Sequence, residues 1–369
     1  MSLSDDQLKE TLDAYKKFDG DRKAAAKYLG IPFSRFRDRY KIAIERIEYG
    51  VLEGNTLSKL STLRDGEGKK VLEWTIQNKE HLQQIEAFKT AIAALQDGIP
   101  KTSPIKPPKT SLADLLSMYV ITDYHIGMLA WWEEGGDNWD VTIAENMLVD
   151  WFYAAIKAAP DSHTAILCQL GDFLHYDSLT AVTPTSGHPL DADSRYQKMV
   201  EVAVRAVIRV INLLLDKHEH VHVLMAEGNH DIASSVWLRA TMNVFFADEP
   251  RVTVDNTHTP FYAYEWGKTS LFFHHGHKVK MSAVSSAFAG IYRDIFGRTE
   301  YSYAHMGHMH HRDVKENQMM IVEQHPTLAA NDSHGARGGY LSQRGASVIS
   351  YSKEYGEVSR VTIRPEMIK

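Results

Sequence analysis

Apolar positions follow two rhythms along this chain, and the change between them falls near residue 100. In the first part the spacing is helical. Asp5–Lys17 reads as a helix opened by acidic residues, and Arg22–Leu29 as a second, Ala-rich helix closed by Gly30. Phe36, Tyr40, Ala43 and Ile47 then recur at three-to-four spacing behind Ser34, the expected N-cap, with Arg35, Arg37, Arg39 and Lys41 between them. These segments predict a compact trihelical module over residues 1–50. Residues 51–96 predict a small extension, with a hairpin in Ser61–Trp74 turning at Asp65-Gly66-Glu67-Gly68 and a helix over Asn78–Leu95. Residues 97–111 carry Pro100, Pro104, Pro107 and Pro108 among Lys101, Lys106 and Lys109, the composition of an extended linker.

From residue 112 to 369 short apolar runs alternate with helical stretches. The runs Met118–Thr122, Ala165–Leu170, Val221–Ala226, Ser270–Phe273 and Ser302–Met306 predict strands, as do Met319–Val322, Ala346–Tyr351 and Val358–Ile363. Helices are expected at about Thr142–Ala158, Ser194–Lys217, Ser234–Phe246 and Val284–Phe296. Such alternation predicts a layered α/β domain preceded by a small, mostly helical one.

Composition narrows this picture without redrawing it. With 44% hydrophobic and 24% charged residues in 369, the chain is ordinary globular protein, not fibrous or disordered. The net charge of −6 hides an asymmetry: residues 1–110 carry 20 Lys+Arg against 16 Asp+Glu (+4), leaving 21 against 31 (−10) for the remainder. A single cysteine, Cys168, lies inside an apolar run, as expected of an inert buried thiol in a reducing compartment. The opening Met1-Ser2-Leu3-Ser4-Asp5-Asp6 lacks a signal-peptide pattern, and no stretch approaches about 18 uninterrupted apolar residues. A cytoplasmic chain with no membrane partner is expected.

The chemistry sits where the apolar runs stop. Asp123-Tyr124-His125 follows the first run, Gly171-Asp172 the second, and Gly228-Asn229-His230-Asp231 the third. His274-His275-Gly276-His277 follows the fourth and Gly307-His308-Met309-His310 the fifth. Loops at the carboxyl ends of strands in α/β sheets converge on one crevice, so these distant residues can share a site. The donors are two carboxylates (Asp123, Asp172), four imidazoles (His125, His275, His308, His310) and the Asn229 amide. In the fourth block His275 is preferred because it precedes Gly276, with His277 the second choice and His274 the other alternative. Seven donors exceed the three or four of one tetrahedral zinc and suit two divalent ions sharing a carboxylate. Mixed oxygen and nitrogen donors favour Mn, Fe or Zn over a pure Mg site, and Mn2+ is the metal expected.

The ordered blocks D-x-H, G-D, G-N-H-[DE], H-G-H and G-H-x-H resemble the calcineurin-like metallophosphoesterase superfamily over about residues 117–311. That resemblance implies a β-sandwich flanked by helices. It implies one ion on Asp123, His125, Asp172 and His310, and the other on Asp172, Asn229, His275 and His308. It also implies that His230 acts on the transition state or leaving oxygen, the nucleophile being water activated by the two cations. Asp231, beside His230, could orient it or raise its pKa, or could instead cap the next helix. Gly171-Asp172-Phe173-Leu174-His175 lacks the arginine of phosphoprotein phosphatases. It looks more like the second block of SbcD-type DNA-repair nucleases, which makes His175 a catalytic candidate beside His230. The order Phe173-Leu174 departs from that block.

Ala24–Ile31 followed by the Arg-rich segment resembles a helix-turn-helix, with Lys27, Arg35, Arg37 and Lys41 as candidate DNA contacts. The alternative is a dimerisation or protein-docking module. Arg195, Arg239, Arg337 and Arg344 could hold phosphates or serve as ion-pair partners. The expected function is a two-metal phosphodiesterase acting on DNA, in a layout that resembles phage phosphoesterases. A small-molecule or cyclic-nucleotide phosphodiesterase and a non-catalytic binding protein are the rivals. Long helices at Ser194–Lys217 and Asn78–Leu95 could support a homodimer.

Overall fold

The computed structural model describes residues 4–48, 56–64, 70–78, 105–108, 111–184, 186–339 and 342–368. The chain divides into two compact units, residues 1–89 and 90–369. Apart from Asn78, the expected helix Asn78–Leu95 lies outside the described residues, as do the hairpin's turn residues and most of the 97–111 stretch.

In the first unit, helix α1 (Asp5–Lys17) starts at a capping box between Ser4 and Gln7. Asp21 caps α2 (Arg22–Tyr28) by accepting from the Lys23 and Ala24 amides. Gly30, at φ 65°, ends α2 in a Schellman turn: its N–H reaches Lys27 O at 3.2 Å, and Ile31 N–H reaches Ala26 O at 3.1 Å. The third helix, α3 (Phe33–Ala43), begins two residues earlier than the Ser34 cap predicts. Pro32 is the residue that caps it, without a side-chain bond, because its ring fixes φ at −55°. Leu8, Leu12, Ala25, Ala26, Phe36 and Tyr40 form the core between the three helices. Arg39, unlike Arg35, Arg37 and Lys41, is buried, with its guanidinium on Gln7 O and Glu10. Strands β1 (Thr56–Arg64) and β2 (Lys70–Asn78) pair antiparallel.

The second unit is two sheets sharing one apolar core. The six-stranded sheet runs β13 (Gly356–Ile363), β12 (Ala346–Ser352), β3 (Leu112–Ile121), β4 (Ser162–Gln169), β5 (His220–Met225), β6 (Val252–Val254). The five-stranded sheet runs β10 (Asp313–Glu316), β11 (Ile321–Gln324), β9 (Tyr301–Met306), β8 (Thr269–His274), β7 (Tyr262–Trp266). Alternate residues of each sheet, such as Leu116, Met118 and Val120 on β3 and Leu271 and Phe273 on β8, meet in the middle. Helices α4 (Val141–Ala158) and α5 (Tyr196–Lys217) pack together with β13 and β5 of the larger sheet. Helix α7 (Met281–Ile291) packs Val284 and Phe288 onto Phe272, Ala304 and Val322 of the smaller one. The chain is thus mixed α/β, a sandwich flanked by helices.

Strands β3, β4 and β5 are parallel neighbours, and so are β8 and β9. All five motif-bearing loops therefore leave the carboxyl ends of parallel strands. The expected helix Val284–Phe296 is two helices, α7 and α8 (Arg293–Arg298), broken at Tyr292, whose hydroxyl donates to Phe261 O. Strand β11 sits two residues beyond the expected Met319–Val322 because Glu323 and Gln324 are buried in it, Glu323 neutralised by Arg312 and Arg360. Cys168 is buried in the core, and burial pushes its thiol pKa up. Among the described residues no helix is long and apolar enough to cross a membrane.

Candidate metal centre

Backbone strain marks the site before any side chain is considered. Among the described residues, six non-glycine positions have positive φ, and five are Asp123 (48°), His125 (49°), Asp172 (52°), His308 (76°) and His310 (56°). Left-handed backbone costs an L-residue on the order of 1 kcal/mol or more, and it persists only where the surroundings enforce it. Here it turns each side chain inward off the end of its strand. Glycines make the close approach feasible: a Cβ on Gly228 would overlap the Asp172 carboxylate, and one on Gly307 would overlap Thr122 and Asp123.

Three ligand atoms from Asp123, His125 and His310 lie within 4.8 Å of one another, and so do three from Asp172, His275 and His308. One oxygen of each carboxylate is already held. Asp123 Oδ2 accepts from Thr122 Oγ1 (2.6 Å) and His308 N–H (2.8 Å), and Asp172 Oδ1 accepts from His230 N–H (2.8 Å). The other oxygen faces imidazoles. Asp172 Oδ2 is 3.1 Å from His275 Nε2, and Asp123 Oδ1 is 3.3 Å from His310 Nε2. Asp123 Oδ1 is buried without a hydrogen bond, an arrangement that a cation would complete. Asn229 Oδ1 lies 3.2 Å from His275 Nε2, so the amide joins the second group.

His275 is the residue of the fourth block that enters the site. Its Nδ1 donates to Leu170 O at 2.7 Å, which fixes the tautomer and presents Nε2 to the carboxylates. Burial alone would lower its pKa, but Asp172 and Asp123 outweigh burial and raise it to about 10. The same two carboxylates thus create a strongly cation-attracting point. His125 and His308 go the other way, lowered chiefly by burial, and are neutral donors as metal ligation requires. His277 stands outside these groups, its ring 5.4 Å from that of His275.

His230 Nδ1 lies 2.8 Å from His175 O and must donate to it, leaving Nε2 as the exchangeable position. The two rings stack at 5.7 Å, and the His125 ring lies 4.8 Å from that of His230. His175 is buried, its Nδ1 3.2 Å from His125 Nδ1, and burial followed by His230 lowers its pKa to about 3.

Asp231 corrects the sequence reading. Its carboxylate neither pairs with His230 nor caps the helix α6 (Ile232–Phe245) that follows it. It accepts from the amides of Asp172, Phe173, Leu174 and Gly228 at 2.7–3.2 Å. Asp177 caps α6 instead, accepting from the Ala233 and Ser234 amides at 2.6 and 2.8 Å. The second and third motif loops thereby exchange carboxylates, each holding the other's backbone. Asp177 was missed because nothing near it in the sequence marks a cap for a helix 56 residues away.

His125, His175 and His230 form a third such group, and a fourth, His305, Glu323 and His325, is also metal-like in spacing. The fourth is already satisfied: His305 bonds Tyr351 and His325, and Glu323 bonds Arg360 and Arg312. Of the arginines considered for phosphate binding, Arg239 is committed to Tyr262 and Arg344 to Asp137 and Leu328. Lys27, Arg35, Arg37 and Lys41 lie in the first unit, all exposed on α2 and α3.

No protein-family model and no curated protein matches the sequence. Solved structures do resemble the fold. A conserved protein of Streptococcus pneumoniae, predicted to be a phosphoesterase, aligns at 8% identity and TM-score 0.30 over 68% of this chain and 98% of its own. An archaeal phosphodiesterase aligns at 12% identity and TM-score 0.35 over 67% and 99%. Zinc-bound Vps29 of Entamoeba histolytica aligns at 10% identity and TM-score 0.29 over 68% and 99%. Likeness at this level carries no chemistry, which has to be read from the side chains.

Proposed function

We propose that this chain is a two-metal phosphodiester hydrolase acting on nucleic acid, with DNA as its substrate. The observation that carries the reading is the convergence of two Asp/His groups on strained loops, with an unpartnered carboxylate oxygen buried between imidazoles. Asp123, His125, Asp172 and His310 would hold one ion and Asp172, Asn229, His275 and His308 the other, with Mn2+ the proposed metal among the Mn, Fe and Zn that suit these donors. When bound, two such cations polarise the phosphoryl oxygens and lower the pKa of water.

The chain's own groups supply the rest. With Nδ1–H tied to the His175 carbonyl, His230 can take or give a proton only at Nε2, the arrangement wanted at a departing ester oxygen. His175 stays neutral behind it and keeps the ring oriented by stacking. The exposed Lys27, Arg35, Arg37 and Lys41 would meet DNA phosphates, which favours a nucleic-acid diester. Because these four lie in a separate compact unit, a small-molecule diesterase is the second reading.

The test is to strip the protein of metal, reconstitute it with Mn2+, and assay bis-nitrophenyl phosphate, a nitrophenyl monoester, and labelled single- and double-stranded DNA. Hydrolysis of the diester and DNA, but not the monoester, is expected. Diester cleavage without DNA cleavage would select the small-molecule reading, and no hydrolysis by protein holding two ions would refute the enzyme.

A further inference from the structure

The left-handed turn at Asp123-Tyr124-His125 is held first by the main chain, Asp123 and His125 N–H donating to Gly171 O and Asp172 O at 3.1 and 3.0 Å and Met128 N–H to His125 O at 3.0 Å, and two side chains add to that hold on its carbonyls. Thr327 Oγ1 donates to Asp123 O at 2.7 Å, and Trp139 Nε1 donates to His125 O at 3.4 Å. Between them the Tyr124 ring lies edge-on to that of Trp139 at 5.4 Å. The donors come from segments 204 and 14 residues away, and one side chain joins the two. Arg344 Nε and Nη2 donate to Leu328 O at 2.9 and 2.6 Å, next to Thr327. Its guanidinium carbon lies 5.5 Å from the centre of the Trp139 ring, and Nη1 reaches Asp137 Oδ2 at 2.5 Å. Trp139 and Leu328 are fully buried, so neither can drift without moving the turn.

The other side is held differently. There Asp172 is held by the His230 amide, and the carboxylate of Asp231 holds the loop amides. We propose that Arg344 is the positioning residue for the Asp123/His125 half of the site, joining the Trp139 and Leu328 segments so that the strained turn presents both side chains to one cation. The inference rests on the two-metal reading. It predicts something that reading does not: the two ions respond unequally to one substitution. Outer partners of metal ligands are worth about 10–100-fold in affinity. A planar fork that binds a carbonyl and a carboxylate at once is not replaced by an ammonium.

The experiment titrates Mn2+ into metal-free wild type, Arg344→Ala, Arg344→Lys and Trp139→Phe, reading bound ions per chain and the exchange-coupled Mn–Mn signal by electron paramagnetic resonance. Circular dichroism reports the fold of each variant. Wild type is expected to bind two ions and show coupling. Arg344→Ala should keep the fold and one ion, bind the second at least tenfold more weakly, and lose the coupled signal. Arg344→Lys should not restore it. Trp139→Phe keeps a smaller aromatic ring in this buried place and removes the indole N–H that donates to His125 O, so, once circular dichroism shows it folded, it decides the matter if Arg344→Ala does not fold, and the same unequal loss is expected. Two ions bound with wild-type affinity in a folded Arg344→Ala, or in Trp139→Phe where that variant decides, would overturn the proposal. An equal loss of both ions would do so too. Fewer than two ions on wild type itself would instead overturn the two-metal reading.

Discussion

The two units of this chain carry their charge in opposite ways. In the helical module Lys27, Arg35, Arg37 and Lys41 are exposed, and Arg37 has its neighbour Asp38 3.2 Å away in water. In the sandwich Asp123, Asp172, Asp231 and His275 are all buried, each with named partners at fixed distances. Burying a charge is costly unless it is paired and hydrogen-bonded, so every buried group demands particular residues around it, and those demands leave a motif. Exposed charges act by number and are nearly interchangeable. A metal centre is therefore specific in sequence, whereas a basic face is generic.

The largest effects belong to residues at the centre of the buried set. Asp172→Ala removes the carboxylate assigned to both ions, so metal and activity should be lost together. Turnover should fall by about four orders of magnitude or more, the scale for a group on which the whole machinery depends. His230→Ala should keep both ions, since only its main-chain N–H touches Asp172. Its kcat should fall by about 100- to 10,000-fold. Metal content by mass spectrometry alongside kcat separates the two variants. Metal retained by Asp172→Ala would remove it from its bridging place, and metal lost from His230→Ala would make that imidazole a ligand.

What could be read from the sequence follows the same division. The five strands and the residues closing them were legible because alternation, glycine and polar cluster are local signals; β4 and β9 lie where the apolar runs place them. Gly30 was legible as a helix end for the same reason. Edge strands β6, β7 and β10 were not, since half-exposed segments of three to five residues carry little pattern. Within the site the donor residues were legible, but the hydrogen bonds that orient them were not. Asp231 serves amides up to 59 residues away, and Thr327 serves a carbonyl 204 residues away. Only the fold brings such partners together.

Asp231 tests that lesson at intermediate size. If it holds loops, Asp231→Ala strands buried amides at Asp172, Phe173 and Leu174, and each unsatisfied buried group costs about 1–3 kcal/mol. A stability loss of roughly 3 kcal/mol or more is expected by denaturant titration, with weaker metal binding. The kcat of the fully metal-loaded variant should stay within about tenfold of wild type, because no proton passes through this group. Asp231→Asn keeps one accepting oxygen and should fall between. Unchanged stability with kcat abolished would return Asp231 to the chemistry.

The smallest effects belong to the exposed face, and there the comparison can break. If Lys27, Arg35, Arg37 and Lys41 meet phosphates, each change to Ala should weaken DNA binding severalfold and lower the slope of log affinity against log salt by about 0.9. Hydrolysis of bis-nitrophenyl phosphate should not change. Arg39 is the internal control: buried against Gln7 and Glu10, it should destabilise the helices when replaced, a change that thermal melting detects. Exposed charges acting on a polyanion add, so the quadruple variant should lose about four times the slope of a single one. A face that docks protein would concentrate its loss in one or two residues and leave the DNA salt slope untouched.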